Sequence, residues 1–282
     1  MPEPPYHRFK DFIAPDADRL KIIHSILNEL KLPCTTVNIA GNSHVFVGAA
    51  GVRVTLVAHY DRVSGSPGAN DNSAAVFLLI EAAMKLRETD GWRVIFTDGE
   101  ELSSGEGARD QGAYTLAKAL REAGRGDGQF FIFDACGSGD TLIVSTMADH
   151  VIRDEDGLRI ARLRRETQVL RNRALEAARH LMMDKVLLAP VPFSDDLGFL
   201  RAGITAQTIT VLPSKEAASL AVNLHKEGFA DSLIKGEAQS PRLKPLIPET
   251  WKSLNGPEDR PERLTPQHYR MVVRFACALC KG

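Results

Sequence analysis

Short β-rich apolar runs alternate with helical segments along this whole chain, and that alternation constrains its fold more than any other feature. Strand-like runs fall at Thr35–Ile39, His44–Val47, Val52–Ala58, Trp92–Phe96, Phe130–Phe133, Leu142–Ser145 and Ile204–Val211. Between and around them lie helical patterns. Ala17–Leu32 carries Leu20, Ile23, Leu27 and Leu30 at helical spacing before Pro33, and Ser73–Leu86 is strongly apolar. Ala113–Ala123, a long amphipathic stretch from Leu158 to Met182, and a closing Pro266–Leu279 complete the set. Strands separated by helices need helices on both faces of a shared sheet, so the expected fold is α/β, with a mixed, largely parallel central sheet. The segments before Leu212 already supply a complete sheet. We therefore expect one domain over residues 1–282, with an irregular insertion at about 212–250, where Pro, Ser, Lys and Glu accumulate.

Charge and composition exclude several classes. Thirty-five basic residues against 36 acidic give a net charge of -1, with no run of like charge, so no nucleic-acid partner is expected. The start, MPEPPYHRFKDFIAP, has no apolar signal core, and no apolar run approaches the ~20 residues that cross a bilayer. A soluble, cytoplasmic protein with no membrane partner is expected. Four cysteines do not make a disulfide scaffold, and Cys277 and Cys280, three apart on the closing helix, read as core-facing thiols. The arginines on the other face of the long helix, Arg159, Arg162, Arg165, Arg173 and Arg179, read as a solvated face. Neither a G-x-S-x-G nucleophile turn nor a glycine-rich phosphate loop is present.

Open α/β sheets gather function at the carboxyl ends of their strands. Here those ends are acidic. The Val52–Ala58 run delivers His59-Tyr60-Asp61, Trp92–Phe96 leads into Asp98-Gly99-Glu100-Glu101, and Phe130–Phe133 ends on Asp134. The turn Gly68-Ala69-Asn70-Asp71-Asn72-Ser73 adds another carboxylate directly before a helix. So many carboxylates on one rim repel each other unless a cation sits among them. One imidazole and several carboxylate oxygens suit zinc, or a similar first-row metal, in a catalytic site. Two metals about 3.5–4 Å apart need a bridging carboxylate, and Asp71 is placed for it.

Taken in order, His59-Tyr60-Asp61, Gly68-Ala69-Asn70-Asp71-Asn72-Ser73-Ala74, Glu100-Glu101, Asp134, Ser194-Asp195-Asp196, Phe199 and Gly203-Ile204 resemble the M28 zinc aminopeptidases. The resemblance implies a zinc-exopeptidase-like α/β/α sandwich that hydrolyses peptide or small amide substrates with metal-activated water. It implies His59 and Asp134 on a first zinc, Asp71 as the bridge and Glu101 on a second zinc. Glu100 would be the general base, Asp61 would orient the His59 ring, and the Asp71–Asn72 peptide would be cis.

The family's last ligand is a histidine followed four residues later by aspartate. In Trp251–Asp259 that position holds Asn255, whose neutral amide is a poor zinc ligand. Three outcomes stay open at this stage: His225 replaces the ligand, one metal remains on His59, Asp71 and Asp134, or hydrolysis is lost and a metal-binding interaction protein remains. A mono-zinc acyltransferase resembling the glutaminyl cyclases is a further alternative.

Overall fold

A computed structural model of the chain describes residues 6–49, 51–101, 107, 109–152, 158–192, 194–234 and 240–281. Eight strands form one sheet: β1 Cys34–Ile39, β2 Asn42–Gly48, β3 Val54–His59, β4 Trp92–Thr97, β5 Gln129–Phe133, β6 Thr141–Ser145, β7 Val186–Ala189 and β8 Ala206–Leu212. Their order is β1-β2-β4-β3-β5-β8-β6-β7. The four pairings β3–β4, β3–β5, β5–β8 and β6–β7 are parallel, and the other three are antiparallel. The sheet is therefore mixed and mostly parallel, as the alternation of segments implies.

The period-two pattern of the central strands sorts their side chains onto two faces. Leu56 and Ala58 of β3, Val94 and Phe96 of β4, and Phe131 and Phe133 of β5 join one core with the helices Arg19–Glu29, Ala74–Leu86 and Pro266–Cys280. Val57, Ile95, Phe130 and Ile132 face the other way, into a core with Ala113, Leu116, Ala117 and Leu120 of the Gly112–Glu122 helix. Every residue of Ala74–Leu86 except Lys85 is buried, which explains a helix apolar on all sides. Asp18 caps Arg19–Glu29 by accepting from the Lys21 N–H at 3.0 Å. Pro266 opens the last helix, where a missing N–H costs nothing.

After β3 the chain crosses one face through Ala74–Leu86 to reach β4, then crosses the opposite face through Gly112–Glu122 and enters β5 on the far side of β3. That reversal leaves a crevice at the carboxyl ends of β3, β4 and β5. Register brings them level: His59 pairs with Thr97, and Val57 with Ile132, so Asp134 follows β5 at the height of His59.

Three features were not read from the sequence. The β7 strand is short and incompletely buried, which leaves little apolar pattern. Asp195–Ala202 is a helix of only eight residues with Gly198 at its middle, where an added Cβ would lie 2.8 Å from the Tyr114 nitrogen. The stretch after Leu212, expected to be irregular, contains the helices Ser214–Asn223 and Phe229–Ile234, whose Ala217, Leu220, Phe229 and Leu233 pack with Ile143, Ile247 and Trp251. No helix among the described residues is long and apolar enough to cross a membrane.

Gly112 sets the height of the Asp98–Glu101 loop. Its N–H donates to the Gly99 carbonyl at 2.8 Å, and a Cβ there would lie 1.8 Å from the Asp98 carbonyl oxygen. Gly112→Ala is expected to cost about 1–3 kcal/mol by forcing these backbones apart. A thermal melt would show it, and an unchanged midpoint would contradict this packing.

Candidate metal centre

Three strand ends and one turn bring the acidic residues around a single histidine. His59, fully buried, closes β3. Its Nε2 lies 3.1 Å from Asp71 Oδ1 and 3.8 Å from Asp134 Oδ1, and its Nδ1 lies 3.5 Å from Asp61 Oδ1. Neither ring nitrogen makes a hydrogen bond of acceptable geometry. Two sets of potential ligands share this ring: His59, Asp71 and Asp134, and His59, Glu100 and Glu101, each with ligand atoms within 4.8 Å of one another. A buried imidazole without hydrogen bonds, faced by carboxylate oxygens, fits a first-row cation such as zinc.

The Asp71 turn is fastened to the end of β5 by its own asparagines. Asn72 Nδ2 donates to the Phe133 carbonyl at 2.9 Å, and its Oδ1 accepts from the Ala135 N–H at 3.2 Å. Asn70 Oδ1 accepts from the Gly137 N–H at 2.7 Å. These bonds put Asp71 beside Asp134; the Asp71–Asn72 peptide is cis. Gly68 enters the turn at φ 60°, and a Cβ there would lie 2.7 Å from the Asp71 carbonyl oxygen, so a glycine is needed.

Residues remote in sequence hold the rest. Buried Asp259 accepts from the N–H groups of Asn70 and Asp71 at 2.8 and 2.9 Å. Arg19, also buried, donates to the carbonyls of Phe12, Tyr60, Asp61 and Pro67 and to Ser73 Oγ, tying the His59–Asp61 segment to the turn. Gln111 Nε2 donates to Glu100 Oε1 at 3.2 Å, and the Glu101 N–H donates to Asp61 Oδ2 at 2.9 Å. Thr97 Oγ1 donates to the buried Asp195 at 2.5 Å. Arg19, Gln111 and Asp259 were not singled out from the sequence. The signal for Asp259 was its place four residues after Asn255; Arg19 and Gln111 had none.

The titration of the cluster reflects crowding. Burial, then the charges of Asp134, Asp195 and Glu101 against the opposing pull of His59, holds Glu100 well above the ordinary carboxyl range. Burial and then Asp71 push Glu101 up to about 8. Burial and then Asp134 raise Asp71. Burial alone would raise Asp134 and Asp61 as well, but His59 draws both below their usual value. The raised proton affinities of Glu100, Glu101 and Asp71 are the mark of like charges held together in a buried place.

His59, Asp61, Asp71, Glu100, Glu101 and Asp134 thus all converge. Asn255 joins them: with its amide nitrogen turned toward the carboxylates, it donates to Glu101 Oε1 at 2.8 Å and to Asp71 Oδ2 at 3.3 Å. His225 is exposed just beyond the Ser214–Asn223 helix and belongs to neither ligand set. Cys277 and Cys280 are buried free thiols, pushed up by burial to about 11 and about 12. Arg162, Arg165 and Arg179 are exposed, and Arg173 is half-buried with a hydrogen bond to the Leu279 carbonyl; the Arg159 side chain lies outside the described residues. A cavity of about 650 Å³ lies near Arg173, His180 and Arg274, away from the carboxylates.

The model of Peptidase family M28 matches residues 38–230, well over half of the chain. The chain belongs to peptidase family M28. No curated protein matches it. Among solved structures, a zinc aminopeptidase from Bacillus subtilis is 20% identical, with a TM-score of 0.55 over 84% of this chain and 48% of that one. The chain thus spans about half the length of that enzyme. A glutaminyl cyclase from Porphyromonas gingivalis is 15% identical, with a TM-score of 0.66 over 98% of this chain and 96% of that one. A Zn-dependent exopeptidase from Parabacteroides distasonis is 13% identical, with a TM-score of 0.64 over 99% and 97%. At these identities the likeness is one of fold.

Stability without metal should fall as pH rises. Burial is the first cause of the raised values at Glu101, about 8, and at Asp195 and Asp196, both about 7. Unfolded carboxyls titrate near about 4. Between those limits the folded state binds more protons than the unfolded one, so its stability is full at the acid end and is lost as pH climbs through the folded values. Melts of chelator-treated protein should give a lower midpoint at about pH 8.5 than at about pH 6. A midpoint that rises over this range would contradict the arrangement.

Proposed function

We propose that the chain is a zinc-dependent exopeptidase of the aminopeptidase type, acting on peptide or small amide substrates. The observation that carries this reading is the buried His59, without hydrogen bonds and faced by Asp71 and Asp134, beside a protonatable Glu100. His59, Asp71, Asp134 and Glu101 are the residues that would hold metal. Zinc, when bound, acidifies water and polarises a carbonyl group.

The remaining chemistry belongs to the side chains. Glu100 takes the proton from the attacking water at its carboxylate and returns it to the leaving amine. Burial suits it to this task, because its raised proton affinity makes it a better base at neutral pH, and Gln111 fixes one of its oxygens. Asp61 faces His59 Nδ1 and holds the ring so that Nε2 points to the carboxylates. Beside Asp134, a cavity of about 70 Å³ lined by Val191, Pro192, Trp251 and Leu254 offers an apolar wall for a small substrate side chain.

The nearly full-length likeness to a glutaminyl cyclase favours intramolecular acyl transfer as a second reading. A peptide with N-terminal glutamine separates the two: hydrolysis releases the free amino acid, whereas cyclisation releases ammonia and leaves the peptide chain intact. No turnover of either kind would leave a metal-binding interaction protein. The same reading treats residues 1–282 as one domain with 212–250 as its insertion. It places the protein in the cytoplasm, where four free thiols are stable, with no nucleic-acid partner at near-neutral charge.

Glu100→Gln keeps size and the Gln111 contact while removing the base. Turnover of aminoacyl arylamides should fall by about 10²–10⁴-fold, with zinc content and melting midpoint unchanged. A fully active variant would remove Glu100 from the mechanism.

A further inference from the structure

The two ligand sets around His59 differ in what covers them. In the first, Asp71 Oδ1 and Asp134 Oδ1 face His59 Nε2, and no protein donor of acceptable geometry reaches that nitrogen. On the other side, once the Asn255 amide is turned nitrogen-first, that nitrogen spans Glu101 and the second oxygen of Asp71. It lies 2.8 and 3.2 Å from the two oxygens of Glu101 and 3.3 Å from Asp71 Oδ2. An amide N–H is a donor with no lone pair for a cation, so in this orientation it satisfies the oxygens that a second ion would need.

Asn255 is exposed at the mouth of the site, but its backbone is not loose. It adopts φ 61°, a left-handed conformation that asparagine tolerates better than most residues. Ser66 Oγ donates to the carbonyl of its neighbour Gly256 at 3.0 Å, and the Asp259 N–H donates to the same carbonyl at 3.1 Å. Asp259 in turn holds the Asp71 turn through two backbone N–H groups. The segment bearing Asn255 is therefore pinned on one side to the residues whose carboxylates it covers.

We propose that Asn255 closes the Glu101 side of the site with hydrogen bonds, so that the protein holds a single tight metal ion on His59, Asp71 and Asp134. The inference rests on the zinc-peptidase reading and narrows it, taking Glu101 out of the residues that hold the tightly bound ion. Glu101 is then a hydrogen-bonded wall of the site, and the pair Asp134 and Glu101 distinguishes the two positions.

Metal content and zinc calorimetry test this without reference to turnover. Losing a partner one step removed from a metal already costs about 10–100-fold in affinity. Any second ion in the native protein should therefore bind at least ~100-fold more weakly than the first. After dialysis, one zinc per chain is expected in the native protein and in Asn255→Ala, none in Asp134→Asn, and one in Glu101→Gln. Asn255→His should raise the content to two. Two tight ions in the native protein would overturn the proposal. So would loss of the ion with Glu101→Gln but not with Asp134→Asn, or a folded Asn255→His that still holds one. No zinc in the native protein would overturn the zinc-peptidase reading itself, and this inference with it. Should Asn255→His fail to fold, the Asp134 and Glu101 variants still decide.

Discussion

Mutual repulsion among carboxylates is the constraint around which this end of the sheet is built. Asp61, Asp71, Glu100, Glu101 and Asp134 gather about one buried imidazole, and Asp61, Asp71, Glu101 and Asp134 raise the proton affinity of their neighbours. Left to themselves such groups would separate, because the unfavourable energy grows as water is excluded. Their positions persist because each is tied to backbone whose place is already set. Asp134 follows a strand buried between two cores, Asp71 stands between asparagines bonded to the end of that strand, and Asp61 accepts from the Glu101 N–H.

Two buried groups of opposite charge, Arg19 and Asp259, flank this anionic centre and meet mostly its backbone. Arg19 spends its donors on carbonyls and one hydroxyl, and burial lowers its pKa to about 9. Its positive charge therefore lies beneath the site without pairing directly with the metal-facing oxygens. Asp259 adds negative charge, yet its two oxygens are occupied by the N–H groups of Asn70 and Asp71. It fixes the turn at an electrostatic cost, reflected in a pKa raised by burial to about 6. A site arranged in this way is preorganised for a cation, since binding one relieves repulsion without requiring the backbone to move.

The sequence was most legible where local pattern and chemistry coincide. His59, Glu100, Glu101 and Asp134 follow apolar runs closely, so the strand ends point to them directly. Asp71 was legible as part of a turn, although that turn is secured by contacts from Asn70 and Asn72 to a strand some sixty residues away. Arg19 and Gln111 carried no such mark, because their roles depend on which carbonyls and carboxylates the fold brings near them. The helices after Leu212 escaped notice for a similar reason. Ser214–Asn223 buries only Ala217 and Leu220, too few apolar positions to establish a period.

The family match ends at residue 230, whereas Asn255 and Asp259 lie beyond it. The matched part contains His59, Asp71, Glu100, Glu101 and Asp134, together with the strands that position them. The later segment meets those residues from the other side, and its two polar groups act differently. Asp259 supports the backbone of Asp71, so its role does not depend on how many ions are present. Asn255 meets the carboxylates themselves, which makes its chemical type decisive there: an acceptor or an imidazole invites a cation, and an amide donor takes the cation's place. The same short loop can thus preserve the geometry of the turn while altering the number of ions, because the two tasks fall on residues four apart whose side chains meet different atoms of Asp71.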